Sequence, residues 1–313
     1  MGFKFLGNNM KSFSFTYVFL FFVVCLYADT PTWTTPSSAN VMAFAVNDYS
    51  HYCDSVPPLH RSVYHKNAFV DSLFSALDTW YPSISKVATH RNDSAATRDN
   101  YRNSLTYFTQ FVFFSGHGNQ QLLALYDFPV KVSSGCGFPT CPDTQYGKIY
   151  NGATRWAIFD ACLVLNVNQT DKLHLPLTVG TVDFSKVDKL RSAFAGIHAI
   201  LGFYSLSWEA SFWDDDQYKA TEDLYKYFVY YFIEENENVW NSFDMANADL
   251  VVEFYYDFGL KPAIAFLSGF DENNIFHDTS GELFSFTYNQ PIPITGTLEL
   301  YVMYSEYGSP EYY

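Results

Sequence analysis

Two short stretches of this 313-residue sequence bring together residue types that perform covalent chemistry. The apolar run QFVFF ends in Ser115-Gly116-His117-Gly118, and the run WAIF ends in Asp160-Ala161-Cys162. An imidazole that draws the proton from a thiol, whose ordinary pKa is about 8.5, produces a thiolate able to attack a carbonyl carbon. Glycines on both sides of the histidine let the backbone approach a substrate, and N–H groups exposed at such a turn suit a developing oxyanion. Each stretch also has a plainer reading: SGHG as a turn with an incidental histidine, and Ala-Cys as a small apolar strand end. Occurring together, in this order and each closing an apolar run, they read as a thiol–imidazole pair.

Other groups have weaker claims. Asp160 alternates with Phe159 and either orients polar groups beside Cys162 or bonds a loop backbone. His198 lies within an apolar run and reads as a core histidine. Asp214, Asp215 and Asp216 follow Trp213 and form either a solvated acidic loop or a pocket for a basic side chain. His51, Cys53, His60 and His65 include zinc-ligand types, but their spacing fits no compact zinc pattern, so no metal is expected. No GxGxxG follows the first apolar run and no P-loop occurs, so no nucleotide cofactor is expected either. Cys136 and Cys141 bracket GCGFPTC, whose Gly and Pro permit the close approach a disulfide needs. Cys53 and Cys162 then either bridge or leave one thiol with a chemical task. Asn92-Asp93-Ser94 and Asn168-Gln169-Thr170 are glycosylation sequons.

Residues at strand ends can meet only if the strands are neighbours. Continuous apolar runs predict buried strands over 41–47, 110–115, 155–162, 197–205 and 262–269, with a further strand over 85–90. Helical spacing predicts helices over 67–81 behind Asn67 as a cap, over 97–108, over 185–196 with a Ser185–Asp188 capping box, and over 218–235 and 239–256. A hairpin is expected around Asp127 and Pro129, a Gly- and Cys-bearing loop over 133–154, and a separate edge strand over 295–304. Strands alternating with helices predict an α/β, doubly wound and mostly parallel sheet with helices on both faces and a C-terminal β extension. Ligands bind such sheets outside the carboxyl ends of the strands. His117 and Cys162 are 45 residues apart, enough for a right-handed crossover that makes their strands neighbours. The expected organisation is 1–28 as a signal or anchor, 29–40 as a linker, 41–270 as the α/β domain and 271–313 as the extension.

Composition narrows the classes of partner. Aromatic residues make up 20% and charged residues only 16%, the reverse of a disordered chain. The net charge is −15, and the first 28 residues hold Lys4 and Lys11 but no acid, so the remainder carries −17. Such a surface repels phosphate backbones, so nucleic acid is excluded as a partner. The apolar segment Phe13–Ala28, with lysines before it and DTPTWTTPSS after it, has the order of a secretory signal. Its sixteen residues fall short of the about 20 that span a bilayer. Cleavage after Ala28 is the expectation, with an uncleaved anchor as the alternative because Leu26 is a poor third-from-last residue. No other stretch reaches the length of a membrane helix, so the protein is expected to be secreted or extracytoplasmic.

A hydrophobic block closed by His-Gly, followed by one closed by Ala-Cys, resembles the motif pair of the caspase, gingipain and legumain clan of cysteine peptidases. GIHAILGFYSLSW and the aromatic helix containing TEDLYKYFVYYF resemble the elements that follow the cysteine in caspase-like and separase-like domains, so the resemblance covers about 41–270. It implies a caspase-like sheet, His117 as general base, Cys162 as nucleophile, and the backbone N–H groups of Gly118 and Cys162 as oxyanion donors. It also implies a polypeptide substrate, and the acidic run 214–216 then implies cleavage after basic residues. The chain departs from caspases in having Asp160-Ala161-Cys162 where they have Gln-Ala-Cys, and in having no glycine after the cysteine. A non-catalytic binding protein on the same fold is the alternative expectation, supported by the high aromatic content and the tail YSEYGSPEYY.

Overall fold

The runs FVFFS and WAIFD are apolar at nearly every position, and both are buried along their whole length. A strand of that kind is stable only in the middle of a sheet covered on both faces. The computed structural model describes residues 38–50, 58–104, 109–119, 122–127, 129–131, 156–166, 199–205, 223–254, 261–267 and 300–305. In chain order the elements are β1 (Ser38–Ala45), α1 (Ser62–Trp80), β2 (Ser85–Asn92), α2 (Arg98–Ser104), β3 (Phe111–Ser115), β4 (Gly118–Asn119), β5 (Leu122–Ala124) and β6 (Pro129–Lys131). They continue with β7 (Trp156–Asp160), β8 (Ala199–Phe203), the helix α3 (223–234), α4 (Val239–Phe254), β9 (Pro262–Leu267) and β10 (Leu300–Tyr304). The last turn of α3, Tyr230–Glu234, is π-helical.

Seven strands form one sheet in the order β10-β9-β8-β7-β3-β1-β2. The five from β2 to β8 run parallel, and β9 is antiparallel to both of its neighbours. The expected mostly parallel α/β sheet is therefore found, with the strands ending in SGHG and DAC side by side. The hairpin expected around Asp127 and Pro129 is β5–β6, and β4 joins it in a small antiparallel sheet.

Period-two alternation divides the core between the two faces. Phe111, Phe113, Trp156 and Ile158 point to the face covered by Phe69 and Leu73 of α1, Phe228 and Phe232 of α3, and Phe243 of α4. Val112, Phe114, Ala157 and Phe159 point to the other, against Tyr49, Tyr101 of α2, Leu123 and Leu125. Aromatic rings supply much of the first face: Phe69 stacks on Phe113 at 4.9 Å, and Trp156 meets Phe232 edge-on at 5.3 Å. Such pairs contribute about 0.5–1.5 kcal/mol each beyond their buried area.

Several elements differ from the sequence expectation; strand β1 runs from Ser38 to Ala45 instead of over 41–47, and β2 extends to Asn92. Helix α1 starts at Ser62 instead of after Asn67, because His65 and Lys66 are buried through polar partners and extend the inward face by a turn. Strand β7 stops at Asp160 instead of Cys162, and Leu163 adopts a left-handed φ of 56° in the turn that follows. The final strand, expected to stand apart, pairs with β9 at the edge of the main sheet. The segments 133–154 and 185–196, the N-terminal signal or anchor and the linker before Ser38 lie outside the described residues. Among the described residues no helix is long and apolar enough to cross a membrane.

Candidate active site

The parallel register of β3 and β7 pairs Ser115 with Asp160, and one further backbone bond, Gly116 N–H to the Asp160 carbonyl at 3.1 Å, holds the chains together past the last rung. His117 and Cys162 therefore each follow the paired ends by two residues, at one carboxyl edge. The loops they occupy touch. A Cβ on Gly118 would lie 2.7 Å from Ala161 Cβ, 2.9 Å from the Cys162 carbonyl oxygen and 3.0 Å from Val164 Cγ2, so no larger residue fits there without displacing backbone. Both His117 and Cys162 are half-buried, and Cys162 is not in a disulfide.

Gly118 also has its N–H directed away from the neighbouring strand. The His117 carbonyl accepts from Ala124 N–H at 2.9 Å, which makes Gly118 and Leu123 a non-hydrogen-bonded antiparallel pair. In such a pair the N–H points out of the ladder.

The turn that carries Cys162 is fixed from the side of β8. Leu163 N–H donates to the Ser205 carbonyl at 2.8 Å, Leu165 N–H to the Phe203 carbonyl at 3.1 Å, and Asn166 Nδ2 to the Tyr204 carbonyl at 3.1 Å. A leucine in the left-handed region costs about 1–2 kcal/mol, so these bonds hold a backbone that the residue itself disfavours. Leucine follows the cysteine here, in a conformation that glycine adopts without cost.

Among the described residues the Asp160 carboxylate is bonded by side chains. Its Oδ2 accepts from Ser115 Oγ at 2.6 Å and pairs with His65 Nδ1 at 2.7 Å, all three residues being buried. The hydroxyl of Tyr225, also fully buried, faces the same carboxylate without a hydrogen bond of good geometry among the described residues. Burial first, and the Asp160 charge second, push the Tyr225 hydroxyl well above the ordinary tyrosine range. Lys66, one position on from His65, is buried as well and donates from Nζ to Asn92 Oδ1 at 2.6 Å. Desolvation lowers it to about 8 against the opposing pull of Asp71 and Asp93.

Of the residues singled out from sequence, the structure therefore brings together the His117–Gly118 and Ala161–Cys162 segments and gives Asp160 an internal task. His65 belongs to that task; among the described residues no group of three His, Cys, Asp or Glu could hold a metal ion. His51, Cys53, Cys136, Cys141, His198, Asp214, Asp215 and Asp216 lie outside the described residues. Sequence reasoning missed Ser115 and His65 as partners of Asp160, and missed Tyr49, whose ring lies 4.7 Å from the His117 imidazole. A signal existed for Ser115: it and Asp160 are the polar closures of two adjacent apolar strands. For Tyr49, 68 residues before His117, none existed.

No family model matches the sequence, and no curated protein matches it. Among solved structures the chain is similar to the Arg-specific cysteine proteinase gingipain R, at 11% identity over 78% of this chain and 47% of that one, with a TM-score of 0.42. It is similar at 10% identity, over 78% of this chain and 46% of that one with a TM-score of 0.38, to the complex of pro- and mature domains of RgpB from Porphyromonas gingivalis. It is likewise similar to caspase-1 from Spodoptera frugiperda, at 10% identity over 78% of this chain and 84% of that one, with a TM-score of 0.37. The chain spans about half the length of the gingipain chains it matches.

Proposed function

We propose that this protein is a cysteine peptidase in which Cys162 is the nucleophile and His117 the general base. The observation that carries this reading is the close approach of Gly118 to the Ala161 side chain and the Cys162 carbonyl at the carboxyl edge shared by β3 and β7. The imidazole takes the thiol proton, the sulfur attacks the scissile carbonyl carbon, and the oxyanion that forms is met by the N–H groups of Gly118 and Cys162. Collapse of the tetrahedral adduct expels the amine, which leaves with the proton held by His117. Water, deprotonated by the same imidazole, then cleaves the thioester and restores the thiol.

The acidic run Asp214–Asp216 and the strongly negative chain support a preference for Lys or Arg before the scissile bond, since a desolvated guanidinium pairs well with carboxylates. The N-terminal segment supports action outside the cytoplasm.

A fluorogenic peptide panel varying the residue before the scissile bond tests the reading. Cleavage should be strongest after Arg or Lys, vanish in Cys162→Ala, and fall by about 10²–10⁴-fold in His117→Ala. A purified, folded chain that cleaves nothing and whose thiol reacts alike with and without His117 would instead be a binding protein on this fold. Cleavage after acidic or apolar residues would remove the role of the aspartates alone.

A further inference from the structure

Tyr49 stands in the segment after β1, far in sequence from both motifs, and it is fully buried. Its hydroxyl oxygen accepts the His117 backbone N–H at 2.8 Å and donates its own proton to the Ala124 carbonyl at 2.9 Å. The His117 carbonyl in turn accepts from Ala124 N–H at 2.9 Å. Three hydrogen bonds thus close a ring through the backbone of His117, the backbone of Ala124 and one phenol. The Tyr49 ring lies against the imidazole at 4.7 Å between centroids, tilted by 55°.

Gly116 is shaped for the same contact. A Cβ at that position would stand 2.5 Å from the Tyr49 hydroxyl and 2.8 Å from Phe114 Cζ, so the phenol seats only because residue 116 has no side chain. The segment that carries Tyr49 is itself tied down, since the Asp93 carboxylate accepts from Asn47 N–H at 2.7 Å and Asp48 N–H at 3.0 Å.

We propose that Tyr49 is a positioning residue that sets the backbone and ring orientation of His117 for its work on Cys162. The inference rests on the thiol–imidazole reading above. The phenol fixes the peptide before the imidazole-bearing Cα, the Ala124 amide fixes the peptide after it, and the Tyr49 ring closes one side of the space open to the imidazole. An imidazole freed from these restraints spends less time in reach of the thiol, and misplacement by about 1 Å can lower a rate by about a hundredfold.

The test follows the rate of Cys162 alkylation by iodoacetamide against pH, read by mass spectrometry, in the wild-type chain and in His117→Ala, Tyr49→Phe and Gly116→Ala. A wild-type thiol assisted by His117 reacts well below the pH range of an ordinary thiol, and His117→Ala returns it to that range. Tyr49→Phe should move the profile most of the way towards that of His117→Ala, with reaction at neutral pH about ten- to a hundredfold slower than wild type. Gly116→Ala, which keeps the phenol but drives a methyl into it, should do the same. A role confined to packing would lower the melting temperature of Tyr49→Phe and leave the profile of the folded protein unmoved, and that result overturns the proposal while the dyad stands. Wild type and His117→Ala giving one profile would remove the dyad and, with it, anything for Tyr49 to position.

Discussion

The two faces of the sheet meet at the carboxyl ends of β3 and β7 with opposite chemistry. On the α1 side, alternation puts Ser115 and Asp160 beside His65 and Tyr225, a buried carboxylate with its donors. On the other side Tyr49 and the His117 backbone are joined by neutral hydrogen bonds, and Gly116 leaves room for the phenol. The difference follows from position. The charged side holds the strands that present the motifs, at the end of an otherwise apolar interior, where a carboxylate is tolerable only while fully bonded. The neutral side holds a loop at the rim, where a phenol and a backbone amide fix the His117 backbone with no charge at the contact. The charged side should therefore govern stability, and the neutral side the reactivity of the site.

The largest effect should come from deleting the carboxylate. Asp160→Ala leaves the His65 and Ser115 donors buried without their acceptor, and breaking a buried arrangement of this kind costs about 3–5 kcal/mol. Urea denaturation of the variant measures it. A loss below about 1 kcal/mol would mean that the charged face does not hold the strand ends, and the contrast between the faces would fail.

Lys66 extends the charged side along α1, and its effect depends on pH. Its folded-state value of about 8 lies below the 10.5 of the unfolded chain, so between those limits the unfolded state holds more protons. Stability should therefore rise with pH from about 8 to 10.5, by up to about 3 kcal/mol from this group. Tyr225 acts in the opposite sense: its raised value penalises the folded state as the unfolded tyrosine ionises, so stability should fall above about pH 10. Denaturation midpoints across pH 7–11 in wild type and Lys66→Met check both, with the rise absent from the variant and the later fall retained.

These same residues show what the sequence made legible. Continuous runs such as FVFFS and WAIFD announce central parallel strands, because only a strand buried on both faces tolerates apolar residues at four positions of five. The motif-bearing loops follow from the strand ends. His65 and Lys66 resisted the same logic: a helix face is read from apolar periodicity, and these two are buried by pairing with Asp160 and Asn92, which stand 95 and 26 residues away. Apolar periodicity therefore places the start of α1 later than Ser62, where the helix begins. Tyr49 was illegible for a related reason, since a lone tyrosine in a loop gives no periodic signal and its partners are backbone groups.

A smaller effect is expected beside the cysteine. Leu163 is held at φ 56° by three bonds to the end of β8, and glycine takes that conformation freely. Relief of about 1–2 kcal/mol of strain, set against the about 0.5–1 kcal/mol that glycine loses in unfolded-state entropy, leaves Leu163→Gly up to about 1.5 kcal/mol more stable. A rise in melting temperature with an unchanged Cys162 alkylation profile would place this strain outside the reactive geometry. A rise accompanied by slower alkylation would make the strain part of how the thiol is presented, and would give the neutral side of the site a second device besides Tyr49.

The smallest effect should come from Tyr225→Phe, and it decides how far the charged face reaches. The hydroxyl is fully buried and lacks a hydrogen bond of good geometry among the described residues, although the Asp160 carboxylate is close enough for its charge to oppose the phenol's ionisation. A buried hydroxyl without a partner carries an unrecovered desolvation cost, so its removal should be neutral or stabilising by up to about 1 kcal/mol, while the ring keeps its 4.9 Å edge-on contact with Phe113. Destabilisation by more than about 1.5 kcal/mol would show that the hydroxyl does donate to Asp160. The carboxylate would then have three donors, Ser115, His65 and Tyr225, tying α3 as well as α1 to the strand that presents Cys162. The alkaline limb of the pH profile discriminates further, since the fall in stability above pH 10 must disappear in Tyr225→Phe if this phenol is its source.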